Sequence, residues 1–417
     1  MMKLSILRLI LLFLSVSLNV SGVATMANAM VATKKNPTAQ NQTLFPVGAK
    51  LHRQVWFWEQ IFREYTSHDA VIHDTRNPEL IVDVVNIQKL RPEFVQNEPE
   101  NLVEQERQNL SDSWLDRYKL ALERFSTAGE GAVVLGSIER RIWNVYKDHP
   151  EGRRRLLAGE VVLRSQRGLA DKFVEATAKA QKYFPYFEAI FKKEGLPPEL
   201  TRMVFVESMF QLDAWSKVGA SGLWQFMPAT GRRFGLRVSA TIDERNSPLK
   251  ATRAAALFLK SNYQKLNHWP LAITSYNHGA NGIARAVKEA GTSNLEEIIE
   301  NYSSSSFGFA SRNFYAEFIA AKNVYQQLSR KHPSVRGRNL KDPLGISLLE
   351  VPKGIALSQV IRFSPLNESL VKRLNPCLLS QAWNRKFKFS PLPEGYHIVV
   401  PTGMLRKVSS SLKRVRI

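Results

Sequence analysis

The sequence predicts a mainly α-helical protein that ends in a small α+β module. Three observations carry this. Apolar residues recur at helical spacing, as at Trp114, Leu115, Tyr118, Leu122 and Phe125, and again at Ile138, Ile142, Val145 and Tyr146. Leu196-Pro197-Pro198-Glu199-Leu200 has prolines suited to a helix start, with Leu200, Met203, Val204 and Val206 supplying an apolar side. Strand-like runs are confined to the C-terminal part, at residues 346–351 and 396–401. With 417 residues, 44% of them hydrophobic and 10% aromatic, the chain has material for several packed cores and is not a disordered protein.

Taken in order, residues 1–29 read as an export signal, with an uncleaved membrane anchor as the alternative. Lys3 and Arg8 supply positive charge, an apolar run follows, and Ala27-Asn28-Ala29 is a small-x-small cleavage site. Residues 30–48 are polar and aperiodic, as expected of a tether, with order starting near Val55-Trp56-Phe57-Trp58. Residues 49–179 read as a helical accessory region that names no chemistry, its Arg153-Arg154-Arg155 as a solvated basic patch. Residues 180–330 hold further helices, among them Pro248–Leu266 with Ala251, Ala254, Ala255, Leu257, Phe258 and Leu259 inward. A linker over 331–345 precedes a module at 346–404 and a solvated basic tail at 405–417. Cys377 is the single cysteine, so no internal disulfide is available and packing alone must stabilise the fold. It also lies far from the N-terminus, which leaves no cysteine for a lipid anchor there.

Chemistry concentrates between residues 207 and 279. Glu207-Ser208 falls near a helix end, where the dipole's negative end and an apolar lining both disfavour a carboxylate and raise its pKa, as a general acid requires. Gly222-Leu223-Trp224-Gln225-Phe226-Met227-Pro228 follows. Its Gly222 permits close backbone approach, Gln225 offers a donor and an acceptor, and Met227 offers an apolar wall or core filling. In Ser275-Tyr276-Asn277-His278-Gly279, Tyr276 and Asn277 supply hydrogen-bonding groups and His278 reads as a surface filler.

In the same order, these clusters resemble the lytic transglycosylases of the goose-type-lysozyme-like superfamily. The resemblance covers roughly residues 180–330 and implies a lysozyme-like catalytic domain acting on peptidoglycan glycan strands. It assigns Glu207 as the acid and base that cleaves between N-acetylmuramic acid and N-acetylglucosamine, closing the muramyl C6 oxygen onto C1 to leave a 1,6-anhydromuramyl end. It also implies substrate contacts for Ser208, Gly222, Gln225, Met227, Tyr276 and Asn277. That chemistry needs one carboxylate, whereas ordinary glycosidases use two. Asp213, Asp243 and Glu244 stand as the nearest candidates for a second, which a muramidase or chitinase-like hydrolase on the same fold would need. One departure bears on the site. Where many members carry an acidic residue and threonine leading into arginine, a variable residue and tyrosine, this chain reads Ala310-Ser311-Arg312-Asn313-Phe314-Tyr315. The tyrosine aligns with Phe314, and Tyr315 is displaced by one position, about 100° around a helix. It enters as a site candidate on that condition, and the departure favours a non-catalytic cell-wall binder as a further alternative.

The strand, helix, helix, strand order after residue 346, with Asn375-Pro376 and Pro401 at its turns, resembles a LysM module. Pro352-Lys353-Gly354 replaces the usual opening Gly-Asp-Thr. The resemblance implies binding to N-acetylglucosamine chains, against a purely structural cap. The net charge is +21, and removal of the export signal takes away Lys3 and Arg8 and no acid, leaving +19. A signal for export argues against nucleic acid as the partner, and no recognition motif for it is present. Anionic envelope components in the periplasm or cell envelope suit the charge better. Scattered histidines and one cysteine predict no metal and no organic cofactor.

Overall fold

The computed structural model describes residues 44–90, 100–134, 136–331 and 344–415. The expected export signal, most of the tether and most of the linker lie outside these residues. In chain order the elements are α1 (Ala49–Arg63), β1 (Asp69–Asp74), β2 (Ile81–Asn86), α2 (Ile87–Leu90), α3 (Glu100–Ala128), α4 (Ser137–Tyr146), α5 (Pro150–Leu157), β3 (Leu163–Arg167) and α6 (Ala170–Lys193). There follow α7 (Met203–Ser208), α8 (Pro228–Arg233), α9 (Pro248–Leu266), α10 (Trp269–His278), α11 (Ala280–Ala290), α12 (Leu295–Asn301) and α13 (Phe309–Lys331). The last unit comprises β4 (Ile346–Glu350), α14 (Leu357–Phe363), α15 (Glu368–Leu374), α16 (Arg385–Lys388), β5 (His397–Pro401) and α17 (Leu405–Lys413).

Three apolar cores organise these elements. The largest joins α6, α7, α9, α10 and α13, and it also takes in α1, whose Leu51, Val55, Trp58 and Phe62 recur every three or four residues. Trp58 donates its indole N–H to Asn313 Oδ1 of α13 at 3.1 Å, so burial leaves no polar group unpaired there. The accessory region therefore does not begin at residue 49: α1 belongs to the main core.

Residues 69–167 form a unit inserted between α1 and α6, and it is not wholly helical. An antiparallel sheet in the order β2-β1-β3 packs on α3, α4 and α5. Because side chains alternate along a strand, β1 serves two cores: Ile72 joins the inserted unit's core, and Val71 joins the main one. His73, on the Val71 face, lies 4.4 Å from the Phe57 ring and 5.7 Å from Phe309 of α13. Across the ladder His73 pairs with Arg164 of β3, whose guanidinium covers the Phe309 ring at 3.8 Å. The expected helical faces in this unit are present, Tyr118, Phe125, Ile142 and Tyr146 being buried. Arg155 is also buried, donating to Asp74 Oδ2 at 3.0 Å and to Asn77 Oδ1 at 3.2 Å, while Tyr146 OH donates to Asp74 Oδ2 at 2.9 Å. Of the triple arginine, Arg153 and Arg154 are exposed as expected of a solvated patch, whereas Arg155 closes a buried ion pair.

In the C-terminal unit β4 and β5 pair antiparallel, from Ile346 opposite Pro401 to Glu350 opposite His397. Leu357, Val360, Val371, Tyr396 and Ile398 fill its core. The expected solvated tail is instead α17, whose Val408 and Leu412 are one helical turn apart and buried in that core. This unit is joined to the main one along residues 241–243. Asp243 N donates to Cys377 O at 2.8 Å, Leu379 N donates to Thr241 O at 3.0 Å, and Ile242 is buried in the C-terminal core. Lys250 of α9 reinforces the seam through His397 O at 2.8 Å. Among the described residues, no helix is long and apolar enough to cross a membrane.

Candidate active site

Glu207 lies one residue before the end of α7, a short helix continued from a 3-10 turn at Pro198–Arg202. Met209 and Phe210 follow at φ 46° and 58°, a left-handed reversal that stops the helix without glycine. Gln225 has φ 45°, so three of the four non-glycine residues with positive φ among the described residues flank this site. Such backbone costs about 1–3 kcal/mol per residue and persists only where packing enforces it. Burial of Phe210 at 0% exposure, with its ring 5.6 Å from Phe184, is part of that packing.

The Glu207 side chain keeps part of its surface open. Among the described residues no hydrogen bond reaches its carboxyl, and its pKa is raised well above the ordinary glutamate range. Burial is the larger cause and the negative charge of Glu317 the second. The expected apolar lining is thus present, and beside it stands a second carboxyl that the motifs do not reveal. Glu317 lies on α13, which packs against α7, and is 2% exposed with Oε1 unpaired. Desolvation pushes its own pKa up to about 8, against the opposing pull of Arg164. Burial thus disfavours the charged form of Glu317 and shuts it away from bulk water, which does not suit a base that activates water.

Two of the three sequence-derived candidates for a second carboxylate are otherwise engaged. Asp243 is gripped by Arg245, with Nε 2.9 Å from Oδ1 and Nη2 2.6 Å from Oδ2. Glu244 accepts from Lys250 Nζ at 2.6 Å and Arg237 N at 2.8 Å. Asp213 is exposed on the turn beyond Glu207.

Tyr276 on α10 feels the Glu207 charge. Burial, and secondarily the Glu207 charge, raise its phenol pKa well above the usual value. Its OH donates to Trp224 O at 3.0 Å, tying α10 to the 222–228 loop. Phe314, which stands in the aligned tyrosine position, is 1% exposed and stacks on the Tyr276 ring at 6.5 Å with planes 7° apart. Asn277 Oδ1 accepts from Ser311 Oγ at 2.8 Å, leaving its amide nitrogen to meet a ligand. Gln225 donates Nε2 to Gly222 O at 2.8 Å and Ala214 O at 3.3 Å, which leaves Oε1 as its available group. Met227 is 40% exposed, so it is a surface wall and not core filler.

Four expectations are corrected. Ser208 is 1% exposed and donates back to Val204 O at 3.3 Å, within its own helix, so it does not face a ligand. Gly222, at φ 76°, approaches protein and not ligand: a Cβ there would overlap the Arg245 carbonyl oxygen. Tyr315 is fully buried on the far side of α13, where its OH donates to Pro46 O at 2.9 Å. The displacement by one residue does turn it away, and the bond shows that the supposed tether is engaged at Pro46. His278 is 7% exposed and packs on Phe307 at 5.0 Å, so it is no surface filler.

A cavity of about 450 Å³ elsewhere, between α1, α12 and the β1–β2 connection, contains none of these groups. Residues 185–299, which include Glu207, the 222–228 loop and Tyr276-Asn277, match the family described as Transglycosylase SLT domain. Over this segment the chain is similar to that family. The chain is similar to membrane-bound lytic murein transglycosylase D of Escherichia coli K12, at 33% identity over 119 residues, 27% of this chain and 25% of that one. It is also similar to a protein of Alteromonas sp. strain M-1 named for tributyltin chloride resistance, at 35% identity over 27% of this chain and 54% of that one. A solved structure of an inactive variant of lytic transglycosylase Slt from Pseudomonas aeruginosa overlaps 58% of this chain and 45% of that chain, at 18% identity and TM-score 0.31. The chain thus spans between a quarter and about half the length of the two curated relatives. Within the SLT domain, Glu207 is the one carboxyl with an open surface, a raised pKa and no hydrogen bond among the described residues.

If Glu317 acts on Glu207 through its charge, Glu317→Gln removes that charge and keeps the shape. The alkaline limb of kcat/KM, on which Glu207 loses its proton, is then expected to move to lower pH in profiles run from about pH 5 to about pH 9. An unmoved limb would show that the two carboxyls do not communicate.

Proposed function

We propose that this chain is a peptidoglycan lytic transglycosylase in which Glu207 serves as both acid and base. The observation that carries the reading is an unbonded, partly open carboxyl of raised pKa inside the SLT domain. Protonated Glu207 gives its proton to the glycosidic oxygen between N-acetylmuramic acid and N-acetylglucosamine as the C1–O bond breaks. The muramyl C6 oxygen then bonds to C1, and the Glu207 carboxylate takes the proton that this hydroxyl releases. Atoms balance without water, and the carboxyl returns to its starting state. Tyr276, Asn277, Gln225 and Met227 are the residues proposed to hold the sugar, the amide groups through hydrogen bonds to N-acetyl and hydroxyl groups and Met227 through apolar contact.

The reading extends to the rest of the chain. An export signal at residues 1–29 would deliver the protein to the periplasm or cell envelope. The formal +21 balance favours attraction to anionic envelope components, an attraction that weakens as salt is raised. The C-terminal unit, with its strand, helix, helix, strand order, is proposed as a LysM-like glycan contact. Incubating the protein with purified peptidoglycan and weighing the soluble fragments tests the activity. Fragments one water lighter than their reducing counterparts are expected, and reducing ends alone, or no release, would overturn the reading.

A further inference from the structure

The stretch between Glu207 and α8 carries exposed apolar side chains, of which the mechanism above uses only Met227. Among the described residues of the SLT domain, the large hydrophobic side chains that stand open to solvent are Trp215, Val218 and Met227, at 51%, 49% and 40% exposure. All three belong to this one loop. A large indole left half open is unusual where burial was available, since hiding it would contribute on the order of 2 kcal/mol.

Trp215 is held on a rigid base. The Arg245 guanidinium lies 5.4 Å from its ring centroid. Arg245 is 2% exposed and fixed by Asp243, by Gly219 O at 2.6 Å and by Phe226 O at 2.9 Å. The backbone of Trp215 bridges to Ser221, which bridges in turn to Phe226. The loop is also continuous with the candidate site. Ala214 O accepts from Gly222 N at 2.8 Å and from Gln225 Nε2 at 3.3 Å, and the neighbouring Trp224 carbonyl is the one held by Tyr276.

We infer that Trp215 is a sugar-stacking platform that receives a pyranose ring of the glycan strand beyond the pair being cleaved. The occupant follows from the chemistry. A flat indole with one face backed by a fixed cation and the other in water suits the apolar C–H face of a β-1,4-linked sugar, whose hydroxyls stay solvated at its edge. The inference rests on the reading of the site as a glycan site, and it adds a specificity residue that sets how far along the strand the protein grips.

Binding without turnover separates the two readings. In protein carrying Glu207→Gln, calorimetric titration with the N-acetylglucosamine hexamer is expected to show Kd raised about tenfold by Trp215→Ala, with Trp215→Tyr recovering most of it and Trp215→Leu little. In otherwise unaltered protein, Trp215→Ala is expected to raise KM for peptidoglycan by a similar factor and leave kcat within about twofold. Equal Kd with and without the indole overturns the inference, as does recovery by leucine equal to that by tyrosine, or failure of the protein that keeps Trp215 to bind the hexamer. If unaltered protein released no anhydro fragments but hexamer binding still depended on the indole, the proposed reaction would fall and the platform would stand.

Discussion

Replacing Glu207 with Gln is expected to lower release of 1,6-anhydro fragments by at least about a hundredfold, and by up to ~10⁴, with the fold intact. The amide keeps the size of the side chain and cannot deliver or accept the proton. Because no described residue hydrogen-bonds the carboxyl, the exchange breaks no existing bond. Burial penalises a charge there, so the neutral amide should hold or raise stability, most clearly at a pH where the wild-type carboxyl is ionised. The raised pKa of an acid makes the linkage run one way: the native state loses stability as pH rises from the ordinary glutamate range toward the folded-state value. Thermal melts of both proteins at acid and alkaline pH, alongside fragment yield, read both effects. A variant that cut at the wild-type rate would remove Glu207 from the chemistry.

The second large effect is on stability. Arg245→Met is expected to cost about 3–5 kcal/mol, because it leaves Asp243, at 2% exposure, as an unpaired buried charge. It also strips partners from Gly219 O and Phe226 O, so the loop that bears Trp215 and Met227 loses its support. Asp243 lies on the seam with the C-terminal unit, its N–H on Cys377 O, so the damage should spread there. Urea unfolding of the two proteins measures the loss. A cost below about 1 kcal/mol would mean that the pair is better solvated than its burial implies.

Some of this is legible in the residues and some is not. Glu207 can be found because motif order survives without tertiary information, and the stripes at Tyr118 to Phe125 and Ile138 to Tyr146 because their period is local. The inserted sheet escapes because its strands disguise themselves. Leu163-Arg164-Ser165-Gln166-Arg167 reads as polar, yet Gln166 is fully buried and Arg164 is sheltered over Phe309. Only long-range packing supplies the reason for those residues. Glu317 escapes for the same cause, since one glutamate beside Phe318 and Ile319 says nothing until α13 is laid against α7. The α17 helix carries a readable signal in Leu405, Val408 and Leu412, masked by the basic residues among them. Ser208 and Gly222 are assigned to ligand by resemblance, while the geometry uses both within the protein.

The central claim is that one carboxyl closes a sugar ring without water. Its most direct test is digestion of purified peptidoglycan in ¹⁸O-labelled water, followed by mass analysis of the released fragments. Anhydro fragments free of label, absent with Glu207→Gln, are the predicted result. Label at newly formed reducing ends would show that water attacked C1, and would require a second carboxylate that the buried Glu317 and the ion-paired Asp243 and Glu244 are poorly placed to provide.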